Sequence, residues 1–595
     1  MKPTMVILDR IKENSRNNKE ETFTKLYRYM LREDLYYIAY QNLYANKGAS
    51  TKGINNDTAD GFSQRKIVKI IQSLKDESYY PNPVRREYIR KESSNKKRPL
   101  GIPTFTDKLI QEALRMILES VYEPVFSNLS HGFRPNKSCH TALKSIKLEF
   151  TGASWFIEGD IKACFDTIDH HVLIGTIGQK VKDARLIKLI WKFLRAGYME
   201  DWKYYSTYSG CPQGGIISPI LSNIYLDKLD KFAEKLSREF YRKKERIHTH
   251  EHKKVQTAIV RTQRRLEKAT GQRKVELLKE LKSYKAERKK VPYTSKTDKV
   301  MKYVRYADDF IIGVKGTKED CEYIKRIFSE FISDTLKMEL SEEKTLITHS
   351  NQYARFLGYD VRVRRNSKLK PSGKRSMRTL NYKVELNVPF QDRIMPFLFD
   401  KAIIKQTNDG KIKPAARTGL YGCTNLEIIT TYNAELRGIC NYYSIASNFT
   451  RLQYFAYHME YSCLKTLAGK HGSTTRKMMN KYRVADLGWG IPYETTKGKK
   501  TRFFAKFMDC KEYGFQNDTV INHEIRHSRT RTSLEKRLSA KECELCGNTN
   551  IPLEIHHVNK VKNLKGKELW ELAMIAKRRK TLAVCLPCHH KIHKP

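Results

Sequence analysis

Apolar residues recur at helical spacing from Lys108 to Ser120, and Tyr122-Glu123-Pro124 ends the run. The same period returns over Lys180 to Ala196, while residues 1 to about 80 read as helices broken at Asn46-Lys47-Gly48-Ala49. A period of two takes over at Val84 to Arg90, and again at Val361 and Val363, then Val384, Leu386 and Val388, ending at Pro389. The apolar runs Met301 to Val304 and Phe310 to Val314 predict two strands joined by a tight turn. Residues from about 240 to 295 are highly charged, with isolated apolar positions at Val255, Ile259, Leu266, Val275, Leu278 and Leu281 and a break at Gly271. That spacing predicts an antiparallel helical hairpin, set between two β-rich stretches as an insertion. Residues 390 to about 480 turn helical, and 481–537 are basic, aromatic and poor in long apolar periods.

A chain of 595 residues exceeds one ordinary core and predicts several domains. Its 113 Lys and Arg against 65 Asp and Glu leave a net charge of +48. Such an excess favours a polyanion, whose phosphates it neutralises with release of counterions. A membrane surface fits less well, because the cations are spread along the chain and no apolar run reaches the length of a spanning helix. Residues Met1 to Ile11 carry charge and no signal-peptide stretch, so the expected location is the cytoplasm.

Chemistry is concentrated in two places. Tyr306-Ala307-Asp308-Asp309 sets adjacent carboxylates between the paired apolar runs. Aspartates there are either ordinary turn formers or a grip on divalent ions. A strand ending at Asp160 would set a third carboxylate opposite, and three such groups are tolerable together only when cations compensate them. Of twelve cysteines, eight are scattered and read as small buried hydrophobes, but Cys543-x-x-Cys546 and Cys585-x-x-Cys588 have the spacing of two knuckles sharing one Zn2+. His556-His557, His589-His590 and His593 surround them and could bind a catalytic ion and supply a base. A purely structural zinc ribbon is the alternative.

Seven blocks occur in the order found in the reverse transcriptase and maturase proteins of mobile group II introns, and the chain resembles the bacterial class that carries a C-terminal HNH endonuclease. They are Arg98-Pro99-Leu100-Gly101-Ile102-Pro103, His131-Gly132-Phe133-Arg134-Pro135, Asp160 with Phe165, Pro212-Gln213-Gly214-Gly215, the Tyr306 tetrad, Leu340 to Lys344, and Phe356-Leu357-Gly358-Tyr359. The resemblance implies an α+β multidomain chain: right-hand fingers and palm over 1–389, a helical thumb (domain X) over 390–480, a small DNA-binding domain over 481–537, and a zinc-containing ββα-metal nuclease over 538–595.

The resemblance also implies roles. Asp160 and Asp308 would hold Mg2+ with Asp309 in support, and Phe165 would sit under the sugar of a deoxynucleoside triphosphate and exclude a 2′ hydroxyl. Gln213 and Gly214 would approach template and nucleotide, Lys344 the leaving pyrophosphate, and Arg98 the triphosphate. The basic stretch Arg85, Arg86, Arg90, Lys91, Lys96, Lys97 and Arg98 would contact phosphates, and Arg437 or a tyrosine of the thumb would face nucleic acid. At the C-terminus His556, His589 and His593 would bind Mg2+ or another divalent ion, with His557 as general base. Thr581 stands where many HNH nucleases have Asn, which puts that role in doubt or moves it to Asn559. The implied partners are the intron RNA, exon and target double-stranded DNA, and a second copy of the chain in a homodimer. The rival reading is a splicing-only RNA-binding maturase with inactive enzymatic sites.

Overall fold

The computed structural model describes residues 2–90, 97–211, 213–242, 249–291, 298–365, 369–372, 375–378, 381–495, 498–509 and 533–593. Lys91, Lys96, Pro212 and most of the second half of the 481–537 segment lie outside the described residues.

At the centre, four antiparallel strands run in the order Val300–Tyr306, Asp309–Lys315, Trp155–Asp160 and Ile347–His349. The first two form the expected hairpin, closed by Ala307 and Asp308. Phe310 to Val314 are buried in an unbroken run, as expected of a strand covered on both faces. The helix Ser218–Phe240, with Pro219 in its first turn, packs against this sheet. A second sheet pairs Val84–Arg90 with Lys97–Ile102 and adds the short strands Tyr198–Glu200 and Lys203–Tyr205. The helices Glu33–Leu43 and Phe105–Tyr122 pack against each other, the latter capped where Thr104 Oγ1 accepts from Asp107 N.

The charged insertion folds as two helices, His250–Glu267 and Gln272–Lys290, around Val255, Ile259 and Leu281. Two of its anticipated inner positions face outward, Val275 at 54% and Leu278 at 48% exposure, and Leu277 takes the buried place instead. The period over Lys180 to Ala196 resolves into a helix starting only at Ala184. Val181 is tied into a bridge with Phe23, and Asp183 caps the new start by accepting from Leu186 N.

The 390–480 stretch contains the helices Asn425–Tyr442 and Leu452–Lys470, plus a small hairpin of Ile404–Gln406 and Ile412–Pro414 that its helical pattern did not suggest. It grips the preceding region through the turn of the Phe356 block: Tyr442 and Tyr443 hydroxyls donate to the carbonyls of Leu357 and Gly358, and the Tyr359 hydroxyl donates to the Tyr442 carbonyl. The hairpin Gly488–Thr495 and Gly498–Phe503 packs on the same helices. Trp489 Nε1 donates to Glu460 Oε1 at 2.8 Å and Asn433 Nδ2 to the Phe503 carbonyl at 2.8 Å.

The C-terminal unit is two strands, Leu553–His557 and Thr581–Cys585, followed by the helix Leu586–His593. A two-residue strand from the N-terminal region, Phe62–Ser63, joins its edge. Among the described residues no helix is long and apolar enough to cross a membrane.

Candidate functional site

The central sheet brings Asp160 directly opposite Asp309. Asp308 occupies the hairpin turn, where Ala307 takes a positive φ of 57°. Burial first, and then the charges of Asp308 and Asp160, push the Asp309 carboxyl up to about 7. Burial likewise raises Asp308. Crowded, half-desolvated carboxylates that resist ionising together are the donor set that divalent cations fit. Lys344 Nζ donates to Asp160 Oδ2 at 2.7 Å, and the charge of Arg98 is felt at Asp308, so both cations border the cluster.

The turn is held from below by residues that sequence reasoning missed. Arg305, at 1% exposure, donates through Nε and Nη2 to the two oxygens of buried Asp230, at 2.7 and 2.6 Å. Its Nη1 donates to the Ala307 carbonyl at 2.8 Å and its Nη2 to Ser130 Oγ at 2.8 Å. One guanidinium thereby fixes the turn that carries Asp308 and ties it to the segment before His131. Gly132 has to be glycine, since a Cβ there would run into the Ala307 backbone. Asn223 Nδ2 donates to the Gly132 carbonyl at 2.9 Å and completes the brace.

Phe165 is half-buried, edge-on to Phe133 at 6.2 Å, and its carbonyl accepts from Cys211 N at 2.7 Å. Gln213 and Gly214 join the fingers hairpin to this region. Gly101 N donates to the Gln213 carbonyl at 2.6 Å, and Gln213 Nε2 lies 3.3 Å from Asp166 Oδ2. Gly214 has φ of 108°, and a Cβ would meet the Gly101 oxygen at 2.6 Å. Gln213, Asp166, Arg86 and Tyr198 line a cavity of about 440 Å³. In the helical region after residue 390 Arg437 is exposed, as are Tyr454, Tyr457 and Tyr461, whereas Tyr442 and Tyr443 are engaged with Leu357 and Gly358.

In the C-terminal unit the sulfurs of Cys543, Cys546, Cys585 and Cys588 lie within 4.8 Å of one another. Burial opposes ionisation of Cys543, yet backbone N–H groups of Cys546, Cys585 and Leu545 outweigh it and hold the thiol down at about 7. Cys588 is pushed up by burial and by sharing protons with Cys585 and Cys546, so four thiolates need a cation. That donor set fits Zn2+.

His556, His589 and His593 form a second group, joined by Asp60 from the N-terminal region. His589 Nδ1 lies 2.9 Å from Glu554 Oε2, the outer partner that orients a ligating imidazole. His557 faces away from this group. Its Nε2 is 3.0 Å from the Tyr44 carbonyl, and burial lowers its pKa. Thr581 pairs in register with His557 but accepts from Arg537 Nη1 at 3.1 Å, while Asn559 is exposed. Neither Asp60 nor Glu554 carries a sequence signal: Asp60 lies in a polar stretch that also holds Asp57, and Glu554 falls between Leu553 and Ile555 as any outward-facing strand residue would.

A carboxylate-bearing central sheet, a helical region after it and a cysteine- and histidine-rich ββα unit are the arrangement of a multidomain polymerase with an appended nuclease. Family models agree, matching reverse transcriptase (RNA-dependent DNA polymerase) at residues 89–269, type II intron maturase at 381–523 and AI2M/AI1M-like HNH endonuclease at 543–589. The chain belongs to the group II intron-encoded proteins. It is 60% identical over 597 residues to the group II intron-encoded protein LtrA of Lactococcus lactis subsp. cremoris, with 100% of each chain covered. It is 36% identical to a 91 kDa protein in the cob intron of Schizosaccharomyces pombe, over 98% of this chain and 72% of that one. It is 24% identical to nuclear intron maturase 2, mitochondrial, of Arabidopsis thaliana, over 81% and 70%. It is thus a multifunctional intron-encoded protein, an RNA-directed DNA polymerase and DNA endonuclease with a maturase region that binds intron RNA.

Proposed function

We propose that the chain binds and stabilises its own folded intron RNA, opens one strand of a target DNA with its C-terminal unit, and extends the new 3′ end by copying the RNA. The register of Asp160 against Asp309, with Asp308 in the turn between Arg98 and Lys344, is the observation that carries this reading. Two Mg2+ held by the three aspartates would activate the primer hydroxyl and neutralise the triphosphate. Arg98 then steadies the triphosphate, and Lys344, released from Asp160, meets the departing pyrophosphate. Phe165 lies beneath the sugar and excludes a 2′ hydroxyl, while Gln213 and Gly214 bring uncharged backbone and amide to the template. In the nuclease His556, His589 and His593 would hold a divalent ion, which would polarise a phosphate oxygen, and His557 would serve as the base that takes a proton from water.

The two activities separate by mutation. The ribonucleoprotein, given target DNA, deoxynucleotides and Mg2+, should yield cDNA joined to the nicked strand. Asp308→Ala should nick without extending, and His557→Ala should extend only DNA that is already nicked. Extension of intact target by the His557 variant would remove the nuclease from the scheme.

A further inference from the structure

The donor set of the nuclease is not confined to the nuclease. Asp60 sits in the turn before Phe62–Ser63, and that strand extends the nuclease sheet by pairing Phe62 with Ile555 and Ser63 with Glu554. Gly61 N donates to the Ile555 carbonyl at 3.0 Å, and His557 N donates to Asp60 Oδ1 at 2.7 Å. The pairing delivers the carboxylate among three imidazoles. Its Oδ1 is 3.1 Å from His556 Nδ1, and its Oδ2 is 3.2 Å from His589 Nε2 and 2.8 Å from His593 Nε2. One donor atom from each of the four residues lies within 4.8 Å of all the others. His556 is 4% exposed, and neither of its ring nitrogens makes a hydrogen bond although Nδ1 lies 3.1 Å from the carboxylate. A buried imidazole left unpaired beside an acid has the geometry that a shared cation would satisfy.

We propose that Asp60 supplies the fourth ligand to the divalent ion of the nuclease, closing a three-histidine, one-carboxylate site that locks this unit onto the fingers in a resting state. The inference rests on His556, His589 and His593 being nuclease ligands, as proposed above. Nitrogen-rich donors with one carboxylate suit Zn2+ or a similar transition ion better than Mg2+. A site whose four tetrahedral positions are all filled by protein is of the structural kind, whereas hydrolysis needs one left open. Asp60 takes the position that a DNA phosphate oxygen would need. The same fingers segment also covers the base. His557 is 7% exposed, with its ring edge-on to Tyr44 at 6.2 Å and Nε2 against the Tyr44 carbonyl. Withdrawal of residues 44–63 would therefore open the ion and uncover the base together.

The test uses the full-length chain with zinc in the four-cysteine site and Asp308→Ala to silence the polymerase carboxylates, titrated with Co2+. Four-coordinate Co2+ absorbs strongly in the visible, and higher coordination numbers absorb weakly. The chain with Asp60 should give the strong spectrum; adding Asp60→Asn should weaken it and lower Co2+ affinity by about tenfold or more, since even outer partners of ligands are worth that much. In the same variant the Phe62 and Ser63 amides should exchange faster, and the ribonucleoprotein should nick target DNA faster. An unchanged spectrum and affinity would overturn the ligand assignment, and loss of nicking along with the ion would overturn the resting state. His593→Ala keeps the underlying reading separate: if it retains both Co2+ binding and nicking, the histidines are not nuclease ligands, whatever Asp60 does.

Discussion

Arg305 sits in a strand that reads as ordinary alternation, in a chain with 113 basic residues, and nothing local marks it as buried. Its environment decides its role. A fully desolvated guanidinium paired with Asp230 cannot lose its partner cheaply, so Arg305→Leu should cost about 3–5 kcal/mol of stability, read by denaturant unfolding. It should also depress primer extension, because the Ala307 carbonyl loses its donor. Arg305→Lys should recover part of the stability and less of the extension, since an ammonium cannot reproduce a fork that reaches Asp230, Ala307 and Ser130 together. Normal extension by Arg305→Leu would show that the turn needs no brace. Phe165 gives a second prediction at this scale. Phe165→Ala should raise ribonucleotide incorporation relative to deoxynucleotide, and an unchanged sugar preference would remove it from the nucleotide site. The aspartates were legible because each ends or joins an apolar run; Arg305 and Asp60 were not, because their meaning comes from partners 75 and about 500 positions away.

Elements with many residues in one period announced themselves. A strand at Val84–Arg90 and two helices on either side of Gly271 form where the alternation and spacing suggested them, although Leu277 rather than Val275 or Leu278 is the buried position. Short elements defined by a neighbour did not. Phe62–Ser63 is a strand only because the nuclease edge offers it partners, and two residues carry no period. The knuckles behave in the opposite way: Cys543 to Cys546 and Cys585 to Cys588 are readable from spacing alone, because each pair is local in sequence and the four sulfurs converge on one point. Cys585→Ser should therefore lose one equivalent of zinc, measured by elemental analysis, together with DNA nicking, while primer extension persists. Loss of extension in step with zinc would mean that the C-terminal unit also supports the polymerase fold.

For the whole molecule, the +48 charge implies that RNA affinity is largely a phosphate term. Binding should fall about a thousandfold or more between roughly 50 and 200 mM salt if six or more phosphates are neutralised. A flat salt dependence would put recognition in shape and stacking instead. The three activities are carried on one chain, and in the proposed scheme DNA synthesis depends on Asp160, Asp308 and Asp309. The most direct measurement is Mg2+-dependent extension of a DNA primer on an RNA template with deoxynucleotides, comparing the chain with Asp308→Ala and recording RNA binding for both. The structure predicts extension by the chain and none by the variant, with RNA binding retained in each. Extension by Asp308→Ala equal to that of the unaltered chain would contradict the assignment of the polymerase site.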